Sequence, residues 1–250
     1  LEPTPEELAE LRAHKTSFVG ALKEIWEAIV EMPVQLRKLA LVYLFQWYAM
    51  NCYWQYVSLS VGESIFGATH ALEEADPDRY KTLFEQATAW TGLVNGAYNV
   101  VTFCVAFALV VLAKRHGAKF VHTTCLLLAA VGLAFFPHIT DKYLLFVPII
   151  GLGIAWASIL GVPYIMAVRM IPSTRYGVYM GIINMMIVIP MLIQTVTFGT
   201  VYKLIGDHPG NAITFAAVFL ALAAIAMLWI KEPPIVKDVD DLSEPVPAEN

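Results

Sequence analysis

The chain has 250 residues, of which 58% are hydrophobic and only 15% charged, with a mean hydropathy of +0.62. Soluble domains carry about 25% charged residues, so the composition excludes an ordinary water-solvated globule. The formal charge of -5 is concentrated around Glu73, Glu74, Asp76 and Asp78 and again over 238–249. Lys and Arg form no dense patch, which excludes a nucleic-acid partner.

In chain order, Leu1-Glu2-Pro3-Thr4-Pro5 opens the sequence without a Met and reads as the interior of a longer protein. Over 5–32 the pattern predicts an amphipathic helix that does not span a membrane. Thr4 is its N-cap, Pro5 its first residue, and Glu7 completes a capping box. Phe18, Leu22, Ile25 and Ile29 recur at helical spacing between Lys23, Glu24 and Glu27, and Pro33 ends the helix. Residues 1–37 thus form a surface linker lying along a membrane or against another domain.

Six apolar stretches follow at 39–61, 89–113, 119–137, 143–170, 176–203 and 211–230, each long enough for roughly 30 Å of hydrocarbon. The fold class is therefore an all-α membrane protein, with a six-helix transmembrane bundle over 38–231. The acidic, Pro-containing segment 232–250 reads as a tail. Ten loop Lys and Arg lie on one side, Arg37, Lys38, Lys114 and Arg115 among them, against Arg79, Lys81, Lys142 and Lys203 on the other. The positive-inside rule then puts both termini in the cytoplasm of a multi-pass cell-membrane protein.

No span carries Asp, Glu, Lys or Arg near its centre. Such groups normally mark ion or proton pathways, so a coupling carboxylate is expected outside these residues. His122 and His138 fall near the ends of the third span and read as interfacial anchors. Cys52, Cys104 and Cys125 lie in apolar runs and read as small core residues. No metal-ligand spacing, cofactor motif or Ser–His arrangement is present, so the expectation is a protein that is not an enzyme and needs no cofactor.

Neutral polar side chains at membrane depth are ordered. Trp47, Asn51, Trp54, Gln55 and Ser58 follow helical spacing on the first span, and Thr91, Asn95, Asn99 and Thr102 do so on the second. Trp156 and Ser158 lie on the fourth, Asn184 and Gln194 on the fifth. Lipid offers amides no partners. Two readings stand: interhelical hydrogen bonds worth about 1 kcal/mol or less each, or a lining for a sugar, whose hydroxyls need amides and whose C–H face stacks on indoles. The candidate substrate residues are Trp47, Asn51, Trp54, Gln55, Asn95, Asn99, Trp156 and Asn184. Gly177 and Gly181 form a small-xxx-small pair; Gly151, Gly153, Gly161 and Pro163 are expected to loosen the fourth span, and Pro190 to kink the fifth.

Residues 113–119, Ala-Lys-Arg-His-Gly-Ala-Lys, resemble the second copy of the major facilitator loop motif, with Lys114 where an acid is expected. Residues 153–160 and 163–166, from Gly153 and Trp156 to Pro163 and Tyr164, resemble the tenth helix of the sucrose-transporter group. Residues 175–184 and 187–190 resemble its eleventh, and Trp47 with 62–67 its seventh; that group lies on the glycoside–pentoside–hexuronide side of the superfamily. The resemblance covers most of 33–230. It implies one half of a major facilitator fold, helices seven to twelve, paired with an N-terminal six-helix half. It further implies symport of sucrose, maltose or a related glycoside, with the proton carried by the missing half. The alternative is a transporter-derived membrane sensor or partner that moves no sugar.

Overall fold

The computed structural model describes residues 18–171 and 175–232. The expected cap at Thr4 and most of the acidic tail lie outside the described residues. Every regular element among the described residues is helical: α1 (Phe18–Val30), α2 (Val34–Val61), α3 (His70–Ala75), α4 (Pro77–His116), α5 (Ala118–Phe135), α6 (Phe146–Met170), α7 (Tyr176–Leu204) and α8 (Pro209–Leu228). A π-helical turn over Gly62–Phe66 closes α2, and a 3-10 turn over Phe136–His138 closes α5.

Five of these helices, α4 to α8, are long and apolar enough to cross a membrane. The chain is a multi-pass all-α membrane protein. α2 matches them in length at 28 residues but is less apolar, because Gln46, Asn51, Gln55 and a run of Tyr and Trp interrupt it. Most of its middle, from Gln46 to Tyr53, is buried by neighbouring helices. Protein therefore solvates this sixth long helix where lipid could not.

Helix starts follow local chemistry. The Asp76 side chain accepts from the Arg79 N–H at 3.1 Å and Pro77 takes the first helical position, an arrangement suited to a helix N-terminus. That cap starts α4 twelve residues before the expected 89. At 40 residues the helix is about 60 Å long. Lys114, Arg115 and His116 fill its last turn, where cations suit the helix dipole. In contrast, α6 starts only at Phe146, after hydrogen-bonded turns over 141–145.

Packing arranges the helices in two layers. α4, α6, α2 and α7 form a front row, in which α4 packs on α6, α2 touches α6, and α7 packs on α2. Behind them α5 backs α6, α8 backs α2, and α5 and α8 pack on each other. Exchanging the triplet α2, α4, α5 for α6, α7, α8 maps these main pairings onto themselves: α2–α8 becomes α6–α5, and α4–α6 becomes α7–α2. Three crossings in each triplet would invert the two relative to the membrane.

Glycines set the closest approaches. A Cβ on Gly153 would meet the Tyr98 carbonyl at 2.7 Å and Val101 at 2.8 Å; one on Gly132 would meet the Pro148 carbonyl at 2.8 Å, and one on Gly151 the Leu128 carbonyl at 3.0 Å. Gly151 and Gly153 thus draw α5 and α4 against α6 and do not loosen it as the sequence suggested. Gly177 and Gly181 have open space beside them, so their small-xxx-small spacing makes no close contact among the described residues.

Gly153→Val should separate α4 from α6 and cost about 1–3 kcal/mol of overpacking, seen as a lowered melting temperature in detergent. Gly181→Ala should leave that temperature unchanged.

Candidate functional site

All eight candidate residues lie on the front row: Trp47, Asn51, Trp54 and Gln55 on α2, Asn95 and Asn99 on α4, Trp156 on α6, and Asn184 on α7. α5 and α8, in the back layer, contribute none. The α2 stripe divides along its two edges, one turned to α6 and one to α7.

Toward α6, three indoles meet. Trp54 and Trp156 are 5.3 Å apart at 87°, and Trp47 stands 5.7 Å from Trp156 at 77° and 6.5 Å from Trp54. Edge-to-face packing of this kind satisfies the ring quadrupoles. Trp54 and Trp156 are half-buried, whereas Trp47 is only 6% exposed and its Nε1–H has no acceptor. Trp54 and Trp156 therefore present indole surface, with Trp47 as their backing.

Toward α7, Asn51 lies inside a helix contact and is 8% exposed. Its Nδ2 donates to the Gln194 side-chain oxygen, to the Met191 carbonyl at 3.1 Å and to Thr195 Oγ1 at 3.2 Å. Gln194, fully buried, donates from Nε2 to Gln55 Oε1 at 3.2 Å and to Cys52 Sγ at 3.4 Å. One turn nearer the start of α2, Tyr48 donates to Thr197 Oγ1 at 3.0 Å, since the Thr197 hydroxyl is already spent on the Ile193 carbonyl. The expectation that Asn51 lines a cavity is thus corrected: this amide holds α2 to α7. Its partner Gln55 is exposed and keeps its own amide N–H groups free for a ligand.

The remaining amides divide similarly. Asn95 accepts from Tyr53 O–H at 2.8 Å, linking α4 to α2, while Asn99 is exposed and donates to the Asn95 carbonyl at 2.8 Å. Asn184 is exposed and accepts from Tyr164 O–H at 3.3 Å. Of these front-row residues Gln55, Asn99 and Asn184 are exposed, and Trp54, Trp156 and Tyr164 are half-buried. Thr102, from the same predicted stripe, is used structurally and donates to the carbonyls of Tyr98 and Gly153.

His122 is not an interfacial anchor. It is fully buried; its Nε2–H donates to Gln46 Oε1 at 3.0 Å, and its Nδ1 accepts from Ser158 O–H at 2.8 Å. Gln46 and Ser158 are equally buried, so α5, α2 and α6 meet at a closed polar knot. Its two partners, Gln46 and Ser158, are both neutral, and together they select one tautomer of the imidazole. Gln46 went unnoticed in the sequence, where it sits alone in an apolar run. Its signal was being a buried-pattern amide four residues from neither Asn51 nor any other polar neighbour on its face.

The loop motif also gains a partner. Gly117 has φ +91°, and a Cβ there would meet Glu232 at 2.8 Å. The Glu232 carboxylate accepts from the backbone N–H of Ala118 and Lys119, capping α5. Lys119 Nζ in turn donates to the carbonyls of Leu228 and Ile230 at the end of α8. Glu232 thus belongs to the bundle and not to a separate tail.

Among known proteins, no family model matches this chain and no curated protein matches it.

Asn51→Ala should lower stability by about 0.6–2 kcal/mol through the lost α2–α7 bonds. Asn184→Ala, in which an exposed amide loses only a 3.3 Å bond from Tyr164 among the described residues, should leave it within about 0.5 kcal/mol. Thermal melts of the two purified variants check this contrast.

Proposed function

We propose that this protein is one six-helix half of a sugar transporter of the major facilitator type, pairing with a second six-helix half and moving a disaccharide such as sucrose or maltose, or a related glycoside. Trp54 and Trp156 would stack on the C–H face of a sugar ring, and Gln55, Asn99, Asn184 and Tyr164 would exchange hydrogen bonds with its hydroxyls. The single observation that carries the reading is the joint exposure of these indoles and amides on four front-row helices, with the apolar α5 and α8 confined behind them. A structural polar set would be buried at helix contacts, as Asn51 and Gln194 are. The inverted triplets support the same reading, because alternating access in such transporters works between repeats of this kind. So does the family-like stretch over 153–192.

In this reading the protein transports and does not catalyse. The cationic ends of the helices, with Arg37, Lys38, Lys119 and Arg175, face the cytoplasm of a cell membrane. Coupling is to a proton carried by the other half, since no Asp, Glu, Lys or Arg lies near the centre of these helices.

The test is uptake of labelled disaccharide by liposomes holding the full-length protein. Accumulation driven by an inward proton gradient is expected, with Trp54→Ala and Trp156→Ala each lowering uptake at least tenfold, the scale of one lost stacking contact of about 1.4 kcal/mol, at unchanged protein yield. Saturable sugar binding without uptake would instead identify a non-transporting sensor. Neither binding nor uptake of any glycoside would overturn the reading.

A further inference from the structure

Among the described residues α1 is a helix with three faces, of which one rests on protein, one is charged and one is apolar and uncovered. Ala28 and Met32 are buried and Ile25 half-buried, and this face rests on α7, where Tyr179 O–H donates to the Ala28 carbonyl at 3.2 Å. Lys23, Glu24, Glu27 and Glu31 are exposed and form the second, water-solvated face; Lys23 lies 3.7 Å from Glu27, and Arg175 pairs with Glu31 at 2.6 Å. The third face is apolar and uncovered. Leu22, Trp26, Ile29 and Val30 recur at i, i+4, i+7 and i+8 and are 51%, 67%, 39% and 57% exposed. At about 100° per residue they share a single arc of roughly 100°.

The direction of that arc is fixed. Arg37, at the start of α2, donates from Nε to the Met32 carbonyl at 2.8 Å and from a terminal nitrogen to the Val30 carbonyl at 3.1 Å. It thereby satisfies carbonyls that the end of α1 leaves open and holds the helix across the end of α2. Ile29 belongs to the exposed stripe and also lines an apolar groove of about 440 Å³ between α2 and α7. That groove continues past Leu41 and Leu44 on one wall and Met186 and Ile189 on the other, reaching Pro190 in the middle of α7. The apolar stripe of α1 therefore runs at Ile29 into an apolar groove between two helices of membrane-spanning length, while its charged face points away.

We infer that α1 is an interfacial membrane anchor whose Leu22–Trp26–Ile29–Val30 face lies in the bilayer at the headgroup–acyl boundary, with a phospholipid acyl chain filling the α2–α7 groove beneath it. An indole suits that boundary, with its ring in the apolar layer and its N–H in the wet one. The solvated face carries three Glu against one Lys, so attraction to anionic headgroups does not drive the contact. Buried apolar area does, and the ligand is a phospholipid irrespective of headgroup charge. This inference needs only a membrane protein and is independent of sugar transport.

The experiment is tryptophan quenching of the full chain in nanodiscs, taking the Trp26 signal as the difference between the unsubstituted protein and Trp26→Phe. Trp26→Phe should be folded with an unchanged melting temperature, because Trp26 contacts solvent more than protein. The Trp26 signal should be quenched more by lipids brominated near the glycerol end of the chain than near the methyl end. It should also be shielded from aqueous iodide, and it should not change between zwitterionic and anionic bilayers or with added salt. A signal quenched by iodide and untouched by brominated lipid would place this face in water and overturn the anchor. A signal reached by neither quencher would place it under protein, also overturning the anchor in favour of a partner chain.

Discussion

Hydrocarbon offers no hydrogen bonds, and the rest of this structure follows from how one helix meets that constraint. α2 brings Gln46, Asn51, Gln55 and seven aromatic residues to membrane depth. Exposed to lipid, each unpaired amide would cost several kcal/mol. The fold surrounds α2 instead: α7 receives Asn51 and Tyr48, α4 receives Tyr53, α5 receives the Gln46 oxygen through His122, and α8 covers its apolar side. The polar helix becomes central because any peripheral position would leave its amides unpaired. The strongly apolar α8, which has no ionisable side chain, takes the back of the bundle where only packing is asked of it.

The same pairing separates what is used for cohesion from what remains for a ligand. Asn51, Gln194, Asn95, Thr102, His122, Gln46 and Ser158 spend their capacity on neighbouring helices. Gln55, Asn99 and Asn184 are instead exposed on three of the front-row helices. A single stripe on α2 thus serves both ends, because residues spaced three and four apart fan over an arc wide enough to reach α6 with one edge and α7 with the other. Cohesion at the amide edge fixes where the indole edge stands.

Much of this was legible from the residues. Membrane class and five of the six expected spans followed from apolar length, and the eight candidate positions all fell on the four front-row helices. What was not legible depended on distance between helices. A glycine is silent about whether it bends its own helix or admits a neighbour, and Gly153 proved to do the second against the Tyr98 carbonyl. His122 sits one turn from Lys119 in sequence and therefore read as interfacial, but the tilt and packing of α5 deliver its ring to Gln46 and Ser158. The start of α4 was missed because hydropathy reports only the apolar part of a helix, whereas Asp76 and Pro77 begin it within the acidic segment. Glu232 lay beyond the last apolar residue and gave no local sign of its contact with a loop more than a hundred residues earlier.

The length of α4 has a practical side. A bilayer core of about 30 Å can submerge only half of a continuous helix of about 60 Å, so its first three turns, opening at Asp76, stand in water as a stalk braced by α3 and the π-helical turn. On a protein with so little mass outside the lipid, that stalk is a rigid handle: an antibody fragment or fused scaffold gripping it would report the tilt of a front-row helix directly, with no flexible joint between the grip and the membrane.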